Sequence, residues 1–178
     1  MNQAVIQSAT TEAPADMSES GPVSREVTLR LAENREDVAR MVALGRVAHG
    51  ESQFADLEYA PDKLEAFGLK TLTEEGRKRT CLLMAERGDA LVGMIVATVS
   101  EHWFSRALGA SAMICYVHPA CRGGLTAIKL LHGFRRWAAN RGVKRVNINV
   151  TTGVHMGRTD KLMRRLGFRF VGGNYSVE

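Results

Sequence analysis

Residues 117–127 read Val117-His118-Pro119-Ala120-Cys121-Arg122-Gly123-Gly124-Leu125-Thr126-Ala127. A strand enters this stretch and a helix leaves it. Upstream, Ala110 to Val117 has the apolar character of a strand, and Pro119, which cannot donate to a sheet ladder, stops it. Downstream, Ala127, Leu130, Leu131, Phe134 and Ala138 share one helical face, and Lys129, His132, Arg135, Arg136 and Asn140 share the other. The Gly123-Gly124 pair between them permits unusual dihedrals and close backbone approach by a ligand. A helix start carries free N–H groups and a positive dipole end, so the corner suits an anion such as a pyrophosphate. The same glycine pair is equally the mark of a plain structural turn. Neither GxxxxGK[ST] nor GxGxxG occurs, so this is not a Walker loop or a dinucleotide fingerprint.

Working outward, Val27, Leu29 and Leu31 alternate with polar residues and predict a strand. Asn34 caps a helix expected over 35–49, with Val38, Met41, Val42, Leu44 and Val47 as its apolar stripe. Pro61 opens a second helix ending near Gly76. Strands follow at 81–86, 91–100 and 110–117, with a turn at 87–89 and a connection at 101–109. After the helix that starts near 126 and ends at Gly142, Val146, Ile148 and Val150 alternate with Asn147, Asn149 and Thr151 as another strand. A short helix over 158–166, a strand at 168–171, the Gly172-Gly173 turn and a last strand at 174–177 complete the chain. The order β-α-α-β-β-β-α-β-α-β-β predicts an α/β (α+β) fold: a mixed, mostly antiparallel twisted sheet flanked by helices. Residues 1–25, rich in Ser, Thr, Ala, Glu and Pro, read as a flexible tail before a single domain at 26–178.

The chain has 178 residues, 45% of them hydrophobic, which is enough for a sizeable core in one domain. It has no apolar run long enough for a transmembrane helix, and its first residues lack the pattern of a secretory signal. Its three cysteines are odd in number and show no CxxC spacing. A disulfide framework and a metal site are therefore not expected, and a reducing cytoplasmic setting is. The net charge of +5 is strongly polarised. Residues 122–178 hold 12 Lys/Arg against two acids, Asp160 and Glu178. A solvated basic face, a polyanionic cofactor and a nucleic acid all fit that excess.

The corner, followed by a strand and then by Leu162-Met163-Arg164-Arg165-Leu166-Gly167-Phe168, resembles the GCN5-related N-acetyltransferase superfamily. That family's loop, Arg/Gln-x-x-Gly-x-Gly/Ala, maps onto Arg122 to Ala127, with Leu125 at the fourth position where the family has glycine. With Trp137-Ala138 and Gly142, this form of the loop is similar to acetyltransferases often encoded by phages and prophages. The resemblance implies acetyl-CoA as co-substrate. Backbone groups from Met113 through Cys115 to Val117 would line the pantetheine arm. Amides from Arg122, Gly123, Gly124, Leu125, Thr126 and Ala127 would hold the pyrophosphate. The side chains of Arg122 and Lys129 would add positive charge there, and Arg158 or Lys161 are candidates for the adenosine 3′-phosphate.

The resemblance also implies a proton donor for the leaving thiolate, usually a tyrosine just before Leu-Gly-Phe. Here that position is Met163, which cannot donate. Tyr175 is the first substitute, and Tyr116 is the other hydroxyl near the expected cleft. Strand 110–117 carries no carboxylate, so Glu101 and His102 just before it are the candidate bases. His118 reads as a turn residue rather than a catalyst. Cys121, near Arg122 and a helix start, has a favourable setting for a thiolate, yet the family passes acetyl directly to its acceptor. Asn147, Asn149 and Thr151 are candidates for the substrate cleft, or else a half-exposed strand face.

The expected activity is transfer of acetyl to a primary amine on a small molecule, a protein or a modified nucleobase. Glu51, Glu58 and Asp62 fit recognition of a cationic amine, and equally fit surface charge. Nucleic acid is the rival partner, but no helix-turn-helix or aromatic–basic interleaving supports it. A catalytically weak CoA-binding regulator is the third reading, kept open by Met163. The short final strand leaves a sheet edge that a homodimer would cover, but the sequence does not determine the oligomeric state.

Overall fold

The computed structural model describes residues 26–174 and Val177. The chain runs β1 (Thr28–Leu31), α1 (Arg35–Gly50), α2 (Pro61–Thr71), α3 (Glu74–Arg79), β2 (Thr80–Arg87), β3 (Ala90–His102) and β4 (Ser105–Val117). A one-turn 3-10 helix (Pro119–Cys121), α4 (Thr126–Ala139), β5 (Arg145–Ile148) and α5 (Met156–Arg165) follow. The sheet order is β1-β2-β3-β4-β5. Its first three pairings are antiparallel and β4–β5 is parallel. This is the mixed, mostly antiparallel sheet with helices on both faces that the strand pattern predicts.

Alternation along the strands builds two cores. Cys81, Leu83, Ile95, Ala97, Val99, Ala110 and Ala112 face α4 and its stripe of Leu130, Leu131, Phe134 and Trp137. Leu82, Met84, Met94, Val96 and Tyr116 face Val38, Met41 and Leu44 of α1. Leu130, Leu131 and Phe134 are wholly buried, each contributing roughly 2 kcal/mol of hydrophobic stabilisation. At the start of α1, Asn34 accepts from the Asp37 amide at 2.9 Å. A clamp ties that helix to the sheet: Arg30 donates to both oxygens of buried Asp37 at 2.7 and 2.6 Å and to Glu86 at 2.7 and 3.0 Å, and Arg40 donates to Glu86 at 2.7 Å.

Several expectations need correction. The second predicted helix is two helices, because Thr73 ends one and caps the next: its Oγ donates to the Lys70 carbonyl and accepts from the Gly76 amide. The connection expected at 101–109 is a tight hairpin turning at Trp103-Phe104, since ladder pairing continues to His102 opposite Ser105. The strand expected at 168–171 does not form. Residues 168–174 carry no strand, and Phe170 and Val171 are exposed. The last expected strand includes Tyr175 and Ser176, which lie outside the described residues, as do residues 1–25.

Candidate functional site

Two irregularities in β4 open a groove beside the corner. The β3–β4 register steps from Ala97↔Ala112 to Val96↔Ile114, so Met113 is an unpaired bulge residue; a bulge bends a strand and sharpens its twist. On the other side, pairing with β5 ends at Ala112↔Ile148, followed by one bond from the Asn149 amide to the Ala112 carbonyl at 3.4 Å. From Ile114 to Val117, β4 therefore has a ladder partner, among the described residues, only in β3. The His118 amide donates to Val92 of β3 at 2.9 Å. Because successive residues alternate sides in an antiparallel ladder, the N–H and C=O of Val117 and Cys115 face the open side.

That edge leads to the amide corner. Gly123 has φ +84°, in the region that glycine occupies at no steric cost. A Cβ built on Gly123 or Gly124 would meet nothing within 4 Å. Leu125 occupies the N-cap of α4 and makes no side-chain cap bond, so the first-turn amides keep their capacity to donate. Among the described residues, nothing fills the space beside these two glycines. A shallow groove lined by Leu29, Leu125, Lys129, His132 and Arg136 opens beside it. These features fit the diphosphate and pantetheine of coenzyme A. Arg122 to Ala127 would hold the first by their amides, and the open edge at Cys115 and Val117 would pair with the second.

The side chains around the corner are arranged differently from the sequence expectation. Arg122 turns away from the glycines: its Nε donates to the Val117 carbonyl at 2.9 Å, its terminal nitrogen is bonded to Glu51, and its guanidinium lies 5.4 Å from the centre of the Tyr116 ring. Tyr116 donates its hydroxyl to the same Glu51 oxygen at 3.1 Å. Burial opposes ionisation of Glu51, but the hydrogen bonds from Arg122 and Tyr116 outweigh it and hold the carboxyl below its ordinary range. Burial first, and the Glu51 charge second, push Tyr116 up to about 12, so its hydroxyl stays protonated at neutral pH. Lys129 reaches the other way, donating to the Val27 carbonyl at 2.7 Å. Arg158 is exposed in the first turn of α5.

Glu101 and His102 are not brought to the groove. Glu101 pairs with Leu108, which lies roughly 16 Å down β4 from Met113 and about 30 Å from Val117 at 3.3 Å per residue. His102 stacks on Phe104 by the hairpin instead. Tyr175 lies outside the described residues. Met163 is half-buried against the α4-side core, a packing residue. His118 accepts from the Ala120 amide at 3.3 Å and caps the 3-10 turn. Burial pushes the Cys115 and Cys81 thiols up to about 12, which removes them as nucleophiles. Asn147 and Asn149 are exposed; Asn149 donates to Ser111 at 3.2 Å. Just beyond β5, the Thr151 carbonyl accepts from the Gln53 side chain and the Thr152 carbonyl from the Gln53 amide at 2.9 Å. The segment after α1 thus touches β4 through Glu51 and the far side of the opening through Gln53. Sequence reasoning missed this bridge: its partners are 65 to 99 residues apart, and no local spacing announces them.

Residues 45–168, well over half of the chain, match the model of the acetyltransferase (GNAT) family. The chain belongs to that family. It is an acyl-CoA-dependent acetyltransferase, with acetyl-CoA as its co-substrate. A search of the curated proteins found no match. Solved structures share the fold. A ribosomal-protein-alanine N-acetyltransferase from Brucella melitensis biovar Abortus 2308 superposes with a TM-score of 0.65 at 16% identity, over 85% of this chain and 98% of that one. The aminoglycoside N-acetyltransferase AAC(6')-Iy in complex with CoA gives 0.66 at 15% identity, over 86% and 94%. A transcriptional regulator from Bacillus halodurans C-125 gives 0.66 at 18% identity, over 86% and 99%. The comparisons support the family and not the phage-encoded subgroup. Among the described residues no helix is long and apolar enough to cross a membrane, and no group of three His, Cys, Asp or Glu is placed to hold a metal.

Proposed function

We propose that this chain, as one domain from residue 26 onward and in the cytoplasm, moves the acetyl group of acetyl-CoA to a primary amine on a small molecule or protein by direct attack. The carrying observation is the edge of β4 from Met113 to Val117, open among the described residues, running into a corner with free space at Gly123 and Gly124. An amine nitrogen attacks the thioester carbonyl, a C–N bond forms, the C–S bond breaks, the nitrogen sheds a proton and the sulfur gains one. The names of two fold relatives, one acting on ribosomal-protein alanine and one on aminoglycosides, support an amine acceptor. Asn149 and Thr151 lie near the mouth of the opening and are proposed to border the acceptor.

A screen with labelled acetyl-CoA against amines, peptides and nucleic acids tests this. The expected result is thermal stabilisation by acetyl-CoA and thiol release with at least one amine. Stabilisation by DNA alone would favour the nucleic-acid reading. Stabilisation by acetyl-CoA with no thiol release across the panel would make the protein a CoA-binding regulator.

A further inference from the structure

The Arg122 guanidinium occupies one position that a cofactor needs and withholds its charge from another. It covers the Val117 carbonyl, which lies on the open edge of β4, and it holds its charge on Glu51 rather than over the adjacent glycine corner. Glu51 is the first residue after α1, two positions before Gln53, whose amide is fastened to Thr152 beyond β5. The carboxylate therefore stands over the divide between β4 and β5, on the α1 side of the sheet, opposite the face where α4 packs. Arg122 and Glu51 are each about one-third exposed at the side chain, so both can exchange partners without unpacking a core. A diphosphate at the corner is a doubly charged competitor for a guanidinium that a single carboxylate now holds. Once Arg122 moves to the diphosphate, Glu51 keeps the hydrogen bond from the neutral hydroxyl of Tyr116, with His118 nearby, and its charge is left facing the mouth of the opening.

Resting on the acetyl-transfer reading above, we infer that Glu51 and the cofactor diphosphate compete for Arg122, and that cofactor binding thereby unmasks Glu51 as the carboxylate that selects acceptors carrying a second positive charge. Glu51 is a specificity-determining residue here. Its side chain binds the acceptor's remote ammonium and takes no part in breaking the thioester.

The test begins with calorimetric titration of CoA into the full chain and its variants. E51Q keeps an acceptor for the Tyr116 hydroxyl but loses the charge that holds Arg122. It is expected to bind CoA about two- to five-fold more tightly, the range of a partly exposed ion pair. R122A is expected to bind CoA about tenfold more weakly, and E51Q added to R122A should give no further tightening. Melting curves confirm that each variant folds. In the amine screen, diamines and other dications should outperform monoamines of like size, with E51Q raising KM for the dications alone. Unchanged or weakened CoA affinity in E51Q would overturn the competition. Equal use of mono- and dications would overturn the selective role. Absence of CoA binding in the wild-type chain would instead sink the acetyl-transfer reading itself.

Discussion

Gly124 can carry a side chain without strain: its φ is not in the left-handed region, and a Cβ there meets nothing within 4 Å. That space is the open corner, so a larger residue would intrude on the diphosphate and not on the fold. G124V should lower CoA affinity about tenfold or more while the melting temperature stays within about 2 °C. C121S should change neither. Titration with CoA reads both, and equal losses for the two variants would mean that the diphosphate lies elsewhere. At this scale the motif located Arg122 but not the direction of its side chain. A charged residue's partner is set by whatever carboxylate and carbonyl the fold brings near, and Glu51 lies 71 residues away in the sequence.

Among the elements, α1 and α2 meet at Gly68, where a Cβ would collide with Val38, itself 2% exposed. The absent side chain lets α2 lie close against α1 and holds α1 in place, with Glu51 at its end. G68V should cost about 1–3 kcal/mol by overpacking, seen as a lower urea midpoint with an unchanged slope. An unaffected midpoint would show that α2 moves away freely and does not position the loop. The strand β4 shows how much of an element is legible in advance. Its apolar run and the proline that ends it predicted the strand from 110 to 117. The bulge at Met113 and the loss of β5 after Ala112 were invisible, because both are mismatches between strands and no strand records its partner's register.

For the whole molecule, the Arg30–Asp37–Glu86–Arg40 clamp joins β1, α1 and β2. The hydrogen bonds from Arg30 outweigh burial and hold the Asp37 carboxyl down at about 2, against an ordinary 3.8. A depressed carboxyl stabilises the fold fully above its unfolded pKa, and that contribution fades as pH falls from 3.8 towards 2. The shift corresponds to about 2 kcal/mol. Wild-type stability in urea should therefore drop by about that amount between pH 5 and pH 2 beyond the fall shown by D37N. D37N should be weaker by about 2 kcal/mol or more at pH 7, because Arg30 loses its buried partner. Parallel pH profiles for the two proteins would remove the clamp from the stability of the fold.

By itself the sequence determined the order of most elements, the apolar faces that build two cores, and the strand-to-helix corner with its glycine pair. Each of these is a local pattern, fixed by periodicity, capping and backbone freedom within a few residues. Only the tertiary structure decided that Glu101 and His102 belong to a distant hairpin, that Lys129 fastens the residue before β1, that β4 and β5 part after Ala112, and that Glu51, Tyr116 and Arg122 meet at the opening. Those outcomes depend on register, bulges and contacts between segments far apart in the chain, and such contacts form only when the whole sheet is assembled.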